Sequence, residues 1–337
     1  MITLPQLQKL KLSARPRVQR FIAATFLNTN YRWLGRVDIH LQGLSNLPDG
    51  PCILAMNHTD RYNYWPFQYA LWRQGLGFTA TWVKGKYYRN AGLAAFMQAT
   101  NNLPTVSRGY LLAEDFLACV GRKASADEYA TLRRALDRLW QGETLDAAEG
   151  LRSCAPEVVR ALCTSRDLFG TGADPAQLGY EEAMLQAFER LMREFVRLNR
   201  EAVDLGLRLI VFPEGTRSLT LGPFHGGLFQ LALKLGLPIV PVGCSGSDRL
   251  YPGASPWARS GRVEYRIGKA IDVDAIDARI PLEDFEPFTR QSEGKWKRLV
   301  ESPRNELRLA VEALIDPAYR SAAATPGAMP VKEDRFL

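Results

Sequence analysis

The chain contains two short polar segments, far apart in sequence, whose side chains could activate and hold a substrate. Residues 57–63 read Asn-His-Thr-Asp-Arg-Tyr-Asn and provide His58, and residues 212–218 read Phe-Pro-Glu-Gly-Thr-Arg-Ser and provide Glu214 and Arg217. An imidazole can accept a hydroxyl proton, and a guanidinium can bind a phosphate through two parallel hydrogen bonds. The combination suits the activation of a hydroxyl group on a phosphorylated substrate.

Each polar segment follows a short apolar run, residues 52–56 before the first and residues 207–211 before the second. Both runs predict buried strands. A strand that stops at a polar turn places that turn at one edge of a sheet, where α/β proteins hold their reactive groups. Strand and helix patterns alternate along the chain, which predicts an α/β fold with a mixed, largely parallel central sheet flanked by helices.

The strongest helical pattern covers residues 180–204. An apolar stripe recurs along it at helical spacing, formed by Met184, Phe188, Leu191, Met192, Phe195 and Leu198. A stripe of this kind predicts a helix packed on the core rather than a ligand site.

In its polar segments the sequence resembles the glycerolipid acyltransferases, a family typified by 1-acylglycerol-3-phosphate acyltransferase. The family has four sequence blocks in a fixed order, and each can be placed here. Asn57 and His58 open the first block, residues 103–108 match the second, residues 212–218 match the third and residues 237–242 match the fourth. The third block is long and specific, and the resemblance covers roughly residues 35–275.

The resemblance implies an O-acyltransferase with His58 as general base. It would move a fatty acyl group from acyl-CoA or acyl carrier protein to a hydroxyl of a lysophospholipid, of the 1-acylglycerol-3-phosphate kind, or of glycerol phosphate. The thioester is a co-substrate, so no cofactor is expected. The residues that would hold the phosphorylated lipid acceptor are Arg108, Glu214, Gly215, Thr216 and Arg217.

The residue that would orient His58 differs from the family pattern. The family places Asp after four spacer residues, and here that position is Asn63, while Asp60 lies two residues after the histidine. Three hypotheses remain open. The Asn63 oxygen orients the ring, Asp60 does so through a changed turn, or the site is inactive because an amide at the orienting position holds the wrong tautomer.

The charge of the chain suits an anionic partner. With 43 Lys and Arg against 36 Asp and Glu, the net charge is +7. Residues 1–37 contain no Asp or Glu, and Val18, Phe21, Ile22 and Phe26 share one helical face. A basic amphipathic helix is typical of a segment lying on anionic lipid, although the same face could pack on the domain. No nucleic-acid recognition motif is present, so we expect no nucleic acid partner.

Other motifs indicate the setting. The five cysteines include no Cys-x-x-Cys pair, which favours a reduced, cytoplasmic environment. No apolar run approaches the roughly 18 residues of a membrane-spanning helix, so we expect peripheral attachment at the cytosolic membrane face. No Cys/His cluster has the spacing of a metal site, and we expect no metal.

The predicted organisation has three parts. Residues 1–35 form the basic amphipathic segment, residues 36–320 the acyltransferase domain, and residues 321–337 a disordered tail. Within the domain, about 109–178 is predicted to be a helical insertion. This insertion could be a lid over the acyl site, an interaction surface or a lateral decoration.

Two alternative functions stay open. The chain could be a catalytically silent protein that binds lipid phosphates. It could also be an acyltransferase that uses an amine or sugar lipid as acceptor.

Overall fold

The computed structural model describes residues 1–144, 150–271, 285–292 and 300–320. These residues form an α/β fold around a sheet with the strand order β1-β7-β6-β2-β5-β3-β4. The strands, in chain order, are β1 Val37–Gln42, β2 Ile53–Met56, β3 Thr79–Lys84, β4 Asn102–Thr105, β5 Arg208–Val211, β6 Ile239–Ser245 and β7 Gly261–Ile267. Neighbouring strands run parallel except β6 and β7, which are antiparallel. The predicted mixed, largely parallel sheet flanked by helices is confirmed.

Strand β2 lies in the middle of the sheet, between β5 and β6. It is parallel to both, and β3 is parallel to β5, so β2, β3 and β5 all end at the same edge. The loops that follow β2 and β5 are the two polar segments of the sequence. The topology therefore brings them together, as the apolar runs predicted.

Each face of the sheet is covered by helices. The α-helices with described bounds are α1 Leu4–Lys9, α2 Arg17–Ile22, α3 Tyr64–Arg73, α4 Ala91–Ala99, α5 Arg108–Val120, α6 Ala126–Trp140, α7 Pro156–Cys163, α8 Pro175–Leu178, α9 Tyr180–Asp204, α10 Gly227–Leu235, α11 Ser247–Leu250 and α12 Glu301–Leu314. Side chains alternate across β2, so Ile53 and Ala55 join the core under α9, while Leu54 and Met56 join the core under α3. Since both faces are buried, every residue of β2 is apolar.

Helix α9 has the bounds that its apolar stripe predicts. Met184, Phe188, Leu191 and Leu198 are buried in the larger core. The chain turns after α9 at Gly206, whose φ of 75° lies in the left-handed region that glycine adopts readily, and then enters β5. The longest helix of the described residues thus leads directly into the strand before Glu214.

The helix that begins with α2 carries the amphipathic face predicted from the sequence. After α2 it continues through two π-helical turns, Ala23–Leu27 and Thr29–Leu34. Ile22 and Phe26 pack against the core under α3, whereas Val18 and Phe21 are exposed. Part of the amphipathic face therefore packs on the domain, and part of it faces outward. None of the helices in the described ranges is long and apolar enough to cross a membrane.

The segment predicted as an insertion carries α5, α6, α7 and α8, apart from residues 145–149, which lie outside the described residues. It packs against α9 on the side of β4. Its buried charges pair within this packing, as in the contact between Arg166 and Asp115 at 2.7 Å. The tail predicted over residues 321–337 also lies outside the described residues.

Candidate active site

His58 lies at the carboxyl end of β2, in the centre of the sheet edge. Its Nδ1 is 3.2 Å from the side-chain oxygen of Asn63, and its ring stacks on Phe212 at 4.0 Å between centroids. The ring is thus held at its edge by an amide and on one face by an aromatic side chain. Its position is fixed before any substrate arrives.

The neighbours of Asn63 determine the tautomer of His58. The side-chain amide of Asn63 donates to the backbone carbonyl of Asn57 at 2.8 Å. A carbonyl can only accept, so the Asn63 nitrogen must face Asn57 and its oxygen must face the imidazole. The Nδ1 of His58 therefore carries the proton, and the lone pair of Nε2 is left to accept one.

The surroundings of His58 favour the neutral ring. Burial lowers its pKa from 6.5 to about 4; the hydrogen bond that Nδ1 donates to Asn63 opposes this, and the positive charges of Arg217 and Lys84 add to it. An amide stabilises imidazolium less than a carboxylate does. At neutral pH the ring is a neutral base.

The third-block loop is tied to the histidine turn through Glu214. One carboxylate oxygen accepts from the backbone N–H of His58 at 2.8 Å, and the other accepts from that of Gly222 at 2.7 Å. The backbone N–H of Ser218 also donates to the carbonyl of His58 at 2.9 Å. Gly215 makes the loop's tight turn with a φ of 63°. Glu214 therefore joins the two turns. Its burial raises the pKa of the carboxyl to about 7.

A cavity of about 420 Å³ opens beside His58. Its polar lining residues include His58, Arg61, Lys84, Lys86, Gly215, Thr216, Arg217 and His225. Its apolar lining residues include Trp82, Val83, Met97, Val106, Met192, Phe195, Leu228 and Phe288. This lining suits a ligand with an anionic head and a long apolar tail.

Several residues at this cavity were not assigned to it from the sequence. Arg61 and Tyr62 come from the histidine turn itself, and Trp65 comes from the first turn of α3. Lys84 is the last residue of β3 and Lys86 follows the strand at the same sheet edge, which is the observation that could have placed them. Met192 and Phe195 belong to the α9 stripe predicted as core, and they line the cavity as well.

Four of the predicted site residues do not line the cavity, namely Asp60, Asn63, Arg108 and Glu214. Asn63 and Glu214 bond His58 instead, whereas Asp60 and Arg108 have other partners. The carboxylate of Asp60 accepts from the Thr59 hydroxyl at 3.0 Å and from the Tyr62 N–H at 2.8 Å, so it braces its own turn instead of reaching the imidazole. Asn63 takes the orienting position. Arg108 is buried at the start of α5, where it pairs with Asp137 at 3.1 Å.

The helices of the insertion contribute no lining residue among those described. The described residues of the insertion therefore form no lid over the cavity. Nor does any group of three or more His, Cys, Asp or Glu side chains in the described ranges have the arrangement of a metal site.

Part of the chain is similar to known acyltransferases. A family model described as Acyltransferase matches residues 176–245, which contain α9, β5 and the Glu214 loop. A chloroplastic 1-acyl-sn-glycerol-3-phosphate acyltransferase of Brassica napus is 44% identical over 72 residues, covering 20% of this chain and 21% of the relative. The human 1-acyl-sn-glycerol-3-phosphate acyltransferase beta is 34% identical over 84 residues, covering 22% and 30%.

Over this part of its length the chain is similar to 1-acyl-sn-glycerol-3-phosphate acyltransferases. The predicted resemblance to the glycerolipid acyltransferases is thereby confirmed for the segment that contains the third and fourth sequence blocks. The chain matches only a fifth to a third of the length of these acyltransferase relatives. The crystal structure of the 1-acyl-sn-glycerophosphate acyltransferase PlsC from Thermotoga maritima aligns over 86% of this chain and 80% of that one at 16% identity, with a TM-score of 0.39.

Proposed function

We propose that the protein transfers a fatty acyl group from an acyl-CoA or acyl carrier protein thioester to a hydroxyl of a phosphorylated lipid acceptor. A lysophospholipid of the 1-acylglycerol-3-phosphate kind or glycerol phosphate is the acceptor. The reaction takes place at the cytosolic face of a membrane and needs no cofactor besides the thioester co-substrate. The names of the plant and human relatives support the choice of acceptor.

A single observation carries the proposal. The imidazole of His58, held by Asn63, and the guanidinium of Arg217 line one cavity that also has many apolar lining residues. A base beside a cation can act on a hydroxyl close to a phosphate, and the apolar wall accommodates a hydrocarbon chain.

The chemistry follows from the tautomer. Nε2 of His58 accepts the proton of the acceptor hydroxyl while the oxygen attacks the thioester carbonyl carbon. The tetrahedral oxyanion then collapses, the carbon–sulfur bond breaks, and the leaving thiolate takes the proton from the imidazolium. Arg217, with Thr216 and Gly215 in the same turn, holds the acceptor phosphate. Arg61, Lys84 and Lys86 line the same cavity and add positive charge to it.

The test is an acyl-transfer assay with labelled acyl-CoA or acyl carrier protein thioester and lysophosphatidic acid. We expect His58→Ala to lower kcat by about 10³-fold, within the range by which a general base accelerates such reactions. His40→Gln is the matched control, because His40 pairs with Asp38 on the edge strand β1 and lies outside the cavity lining. Turnover that survives His58→Ala would remove the base assignment.

A catalytically silent lipid-phosphate binder is the second candidate. The amide at position 63 and the low pKa of His58 favour it, since both weaken the base. Binding of lysophosphatidic acid without turnover, with every donor tried, is its signature. Turnover restricted to an amine or sugar lipid would keep the chemistry and change the acceptor.

A further inference from the structure

The position of Arg217 depends on its backbone more than on the packing of the side chains around it. In residues 216–222, which we call the Arg217 loop, four side chains are exposed, namely those of Thr216, Arg217, Leu219 and Thr220. A loop whose side chains are mostly exposed opens locally at little cost in free energy. The guanidinium is therefore held in place by the hydrogen bonds that the backbone of the loop makes with the rest of the protein.

The backbone of the Arg217 loop bonds to the catalytic turns and also to a segment outside them. The N–H of Ser218 donates to the carbonyl of His58, and the N–H of Gly222 donates to the carboxylate of Glu214. The outside bond is that of the Leu221 N–H, which donates to the backbone carbonyl of Tyr319 at 2.9 Å.

Tyr319 lies in a short C-terminal segment, residues 315–320, that follows α12. Its hydroxyl donates to the carboxylate of Asp248 at 2.6 Å and accepts from the backbone N–H of Gly246 at 3.1 Å. Burial and the Asp248 carboxylate raise the pKa of this hydroxyl to about 12, so it stays protonated as a donor. Both partners follow β6, which is parallel to β2 and ends at the same edge of the sheet. The hydroxyl therefore fastens Tyr319 to the sheet edge that carries His58.

Asp316 attaches the C-terminal segment a second time. Its backbone N–H donates to the hydroxyl of Ser245 at 3.0 Å, and its carboxylate pairs with Arg266 of β7 at 2.8 Å. Arg266 also donates to the carbonyl of Leu314, the last residue of α12, at 3.0 Å. The segment is thus fixed to β6 and β7 before it reaches the Arg217 loop.

The side chains at the contact are buried although the loop is exposed. Leu221 is 5% exposed and Tyr319 is 7% exposed, and both belong to the larger core together with Ile315. A hydrogen bond between two buried backbone groups is costly to break, because neither group finds water when the bond opens. The C-terminal segment is therefore a firm anchor for a loop that packing alone does not hold.

We propose that Tyr319 is a positioning residue for the acceptor phosphate and that it acts through the backbone of the Arg217 loop. By holding the N–H of Leu221, it keeps the guanidinium where a phosphate in the cavity meets it. The imidazole of His58 is held separately by Asn63. Acceptor binding should therefore depend on Tyr319, and proton transfer should not. That the ligand is a phosphorylated acceptor rests on the proposed function.

Steady-state kinetics of full-length Tyr319→Ala test the proposal, with lysophosphatidic acid as acceptor. We expect the KM for the acceptor to rise about tenfold, because a small misplacement of a positioning group is costly. The kcat and the KM for the thioester should stay within about twofold of wild type. Tyr319→Phe keeps the ring and loses the hydroxyl, so it should give a smaller rise in the acceptor KM, and it carries the test if the alanine variant does not fold.

Val311→Ala is the matched control for lost stability. Val311 is a fully buried residue of α12 in the same core. Its truncation should lower the melting temperature and leave the acceptor KM unchanged. If Val311→Ala raises the acceptor KM as much as Tyr319→Ala does, the effect comes from lost stability and the positioning role is wrong.

A double-mutant cycle with Arg217→Ala identifies the group that Tyr319 positions. If Tyr319 acts through the guanidinium, Tyr319→Ala should leave the acceptor KM unchanged when Arg217 is already absent. The same rise in the acceptor KM in both backgrounds would overturn the proposal, because Tyr319 would then act on binding by another route.

Hydrogen exchange separates this proposal from the proposed function, because it requires no turnover. In Tyr319→Ala we expect the amides of residues 218–222 to exchange about tenfold faster or more, and those of β2 to stay unchanged. Unchanged exchange in the Arg217 loop would overturn the positioning role. If the wild type has no turnover with any acceptor, but Tyr319→Ala speeds this exchange and weakens the binding of lysophosphatidic acid, the proposed function fails and the positioning role stands.

Discussion

Arg217 and Arg108 were both predicted to bind phosphate, and the structure gives them opposite surroundings. Arg217 is exposed and lines the cavity, and no carboxylate of the described residues forms an ion pair with it. Arg108 is buried, pairs with Asp137 at 3.1 Å and lies 4.4 Å above the ring centroid of Trp140. Arg133 pairs with the same carboxylate at 2.7 Å.

The difference shows what a motif arginine needs in order to act on a ligand. A guanidinium that already has a carboxylate and an aromatic face has little left to offer a phosphate, and taking it from its buried partner would leave that charge uncompensated. A guanidinium at an open cavity has all its donors available for a phosphate. We therefore assign Arg217 to the substrate and Arg108 to the packing of α5 and α6 against α9.

Arg217→Ala tests the first half of this comparison. We expect kcat/KM for lysophosphatidic acid to fall about 10²- to 10³-fold, since a charge-assisted contact to the acceptor is removed from the site. The melting temperature should not change, because Arg217 is exposed. Arg217→Lys keeps the positive charge but lacks the paired hydrogen-bond donors of the guanidinium, so it should recover only part of the loss. A fully active Arg217→Ala variant would show that Arg217 does not bind the acceptor.

Asn63→Ala extends the test to the residue beside the base. The Asn63 oxygen fixes the proton on Nδ1 of His58, so its loss should lower kcat about 10²-fold while the KM for the acceptor changes little. Asp60→Asn is the matched control, because Asp60 braces the turn without contacting the ring. A larger kcat effect at Asp60 than at Asn63 would show that the orienting residue is misassigned.

The sequence predicted the sheet, the long helix α9 and the meeting of His58 with the Glu214 loop. These follow from apolar periodicity and from the rule that parallel strands end at one edge. The choice between Asp60 and Asn63 could not be predicted in this way. It depends on the backbone path of the turn formed by residues 57–63, in which Asp60 accepts a hydrogen bond from the N–H of Tyr62.

The place of Arg108 was unpredictable for a different reason. Its partner Asp137 lies 29 positions later, inside a segment for which the family resemblance has no counterpart. Met192 and Phe195 both pack in the core and line the cavity, and the sequence could not predict the second role. Residues that line a cavity and residues that pack in a core recur with the same periodicity along a helix. Residue types predict which groups can do chemistry, and tertiary contacts decide which of them reach the cavity.

Arg108→Met tests the second half of the comparison. We expect the free energy of unfolding to fall by about 2 kcal/mol, at the low end for a buried ion pair because Arg133 still neutralises Asp137. The kcat/KM of the folded fraction should stay within about twofold of wild type. Denaturant unfolding gives the first quantity and the acyl-transfer assay the second. A loss of acceptor binding without a loss of stability would return Arg108 to the substrate.

The smallest expected effect is that of Glu214→Gln on the pH dependence of the free energy of unfolding. Burial raises the pKa of Glu214 from 4.5 to about 7, although the N–H groups of His58 and Gly222 oppose the rise. The folded protein then binds this proton more tightly than the unfolded chain. The contribution to folding is fully present below pH 4.5 and is lost as the pH rises through 7, where the charged carboxylate is buried.

We expect the wild type to lose on the order of 1–2 kcal/mol more stability than Glu214→Gln between pH 5 and pH 8. The glutamine keeps one acceptor oxygen and does not titrate, so any constant loss from its altered hydrogen bonds cancels when the two pH profiles are compared. Parallel profiles would mean that Glu214 stays ionised throughout. In that case the two backbone N–H groups outweigh burial, and the carboxylate that joins the His58 and Arg217 turns keeps its charge from pH 5 to pH 8.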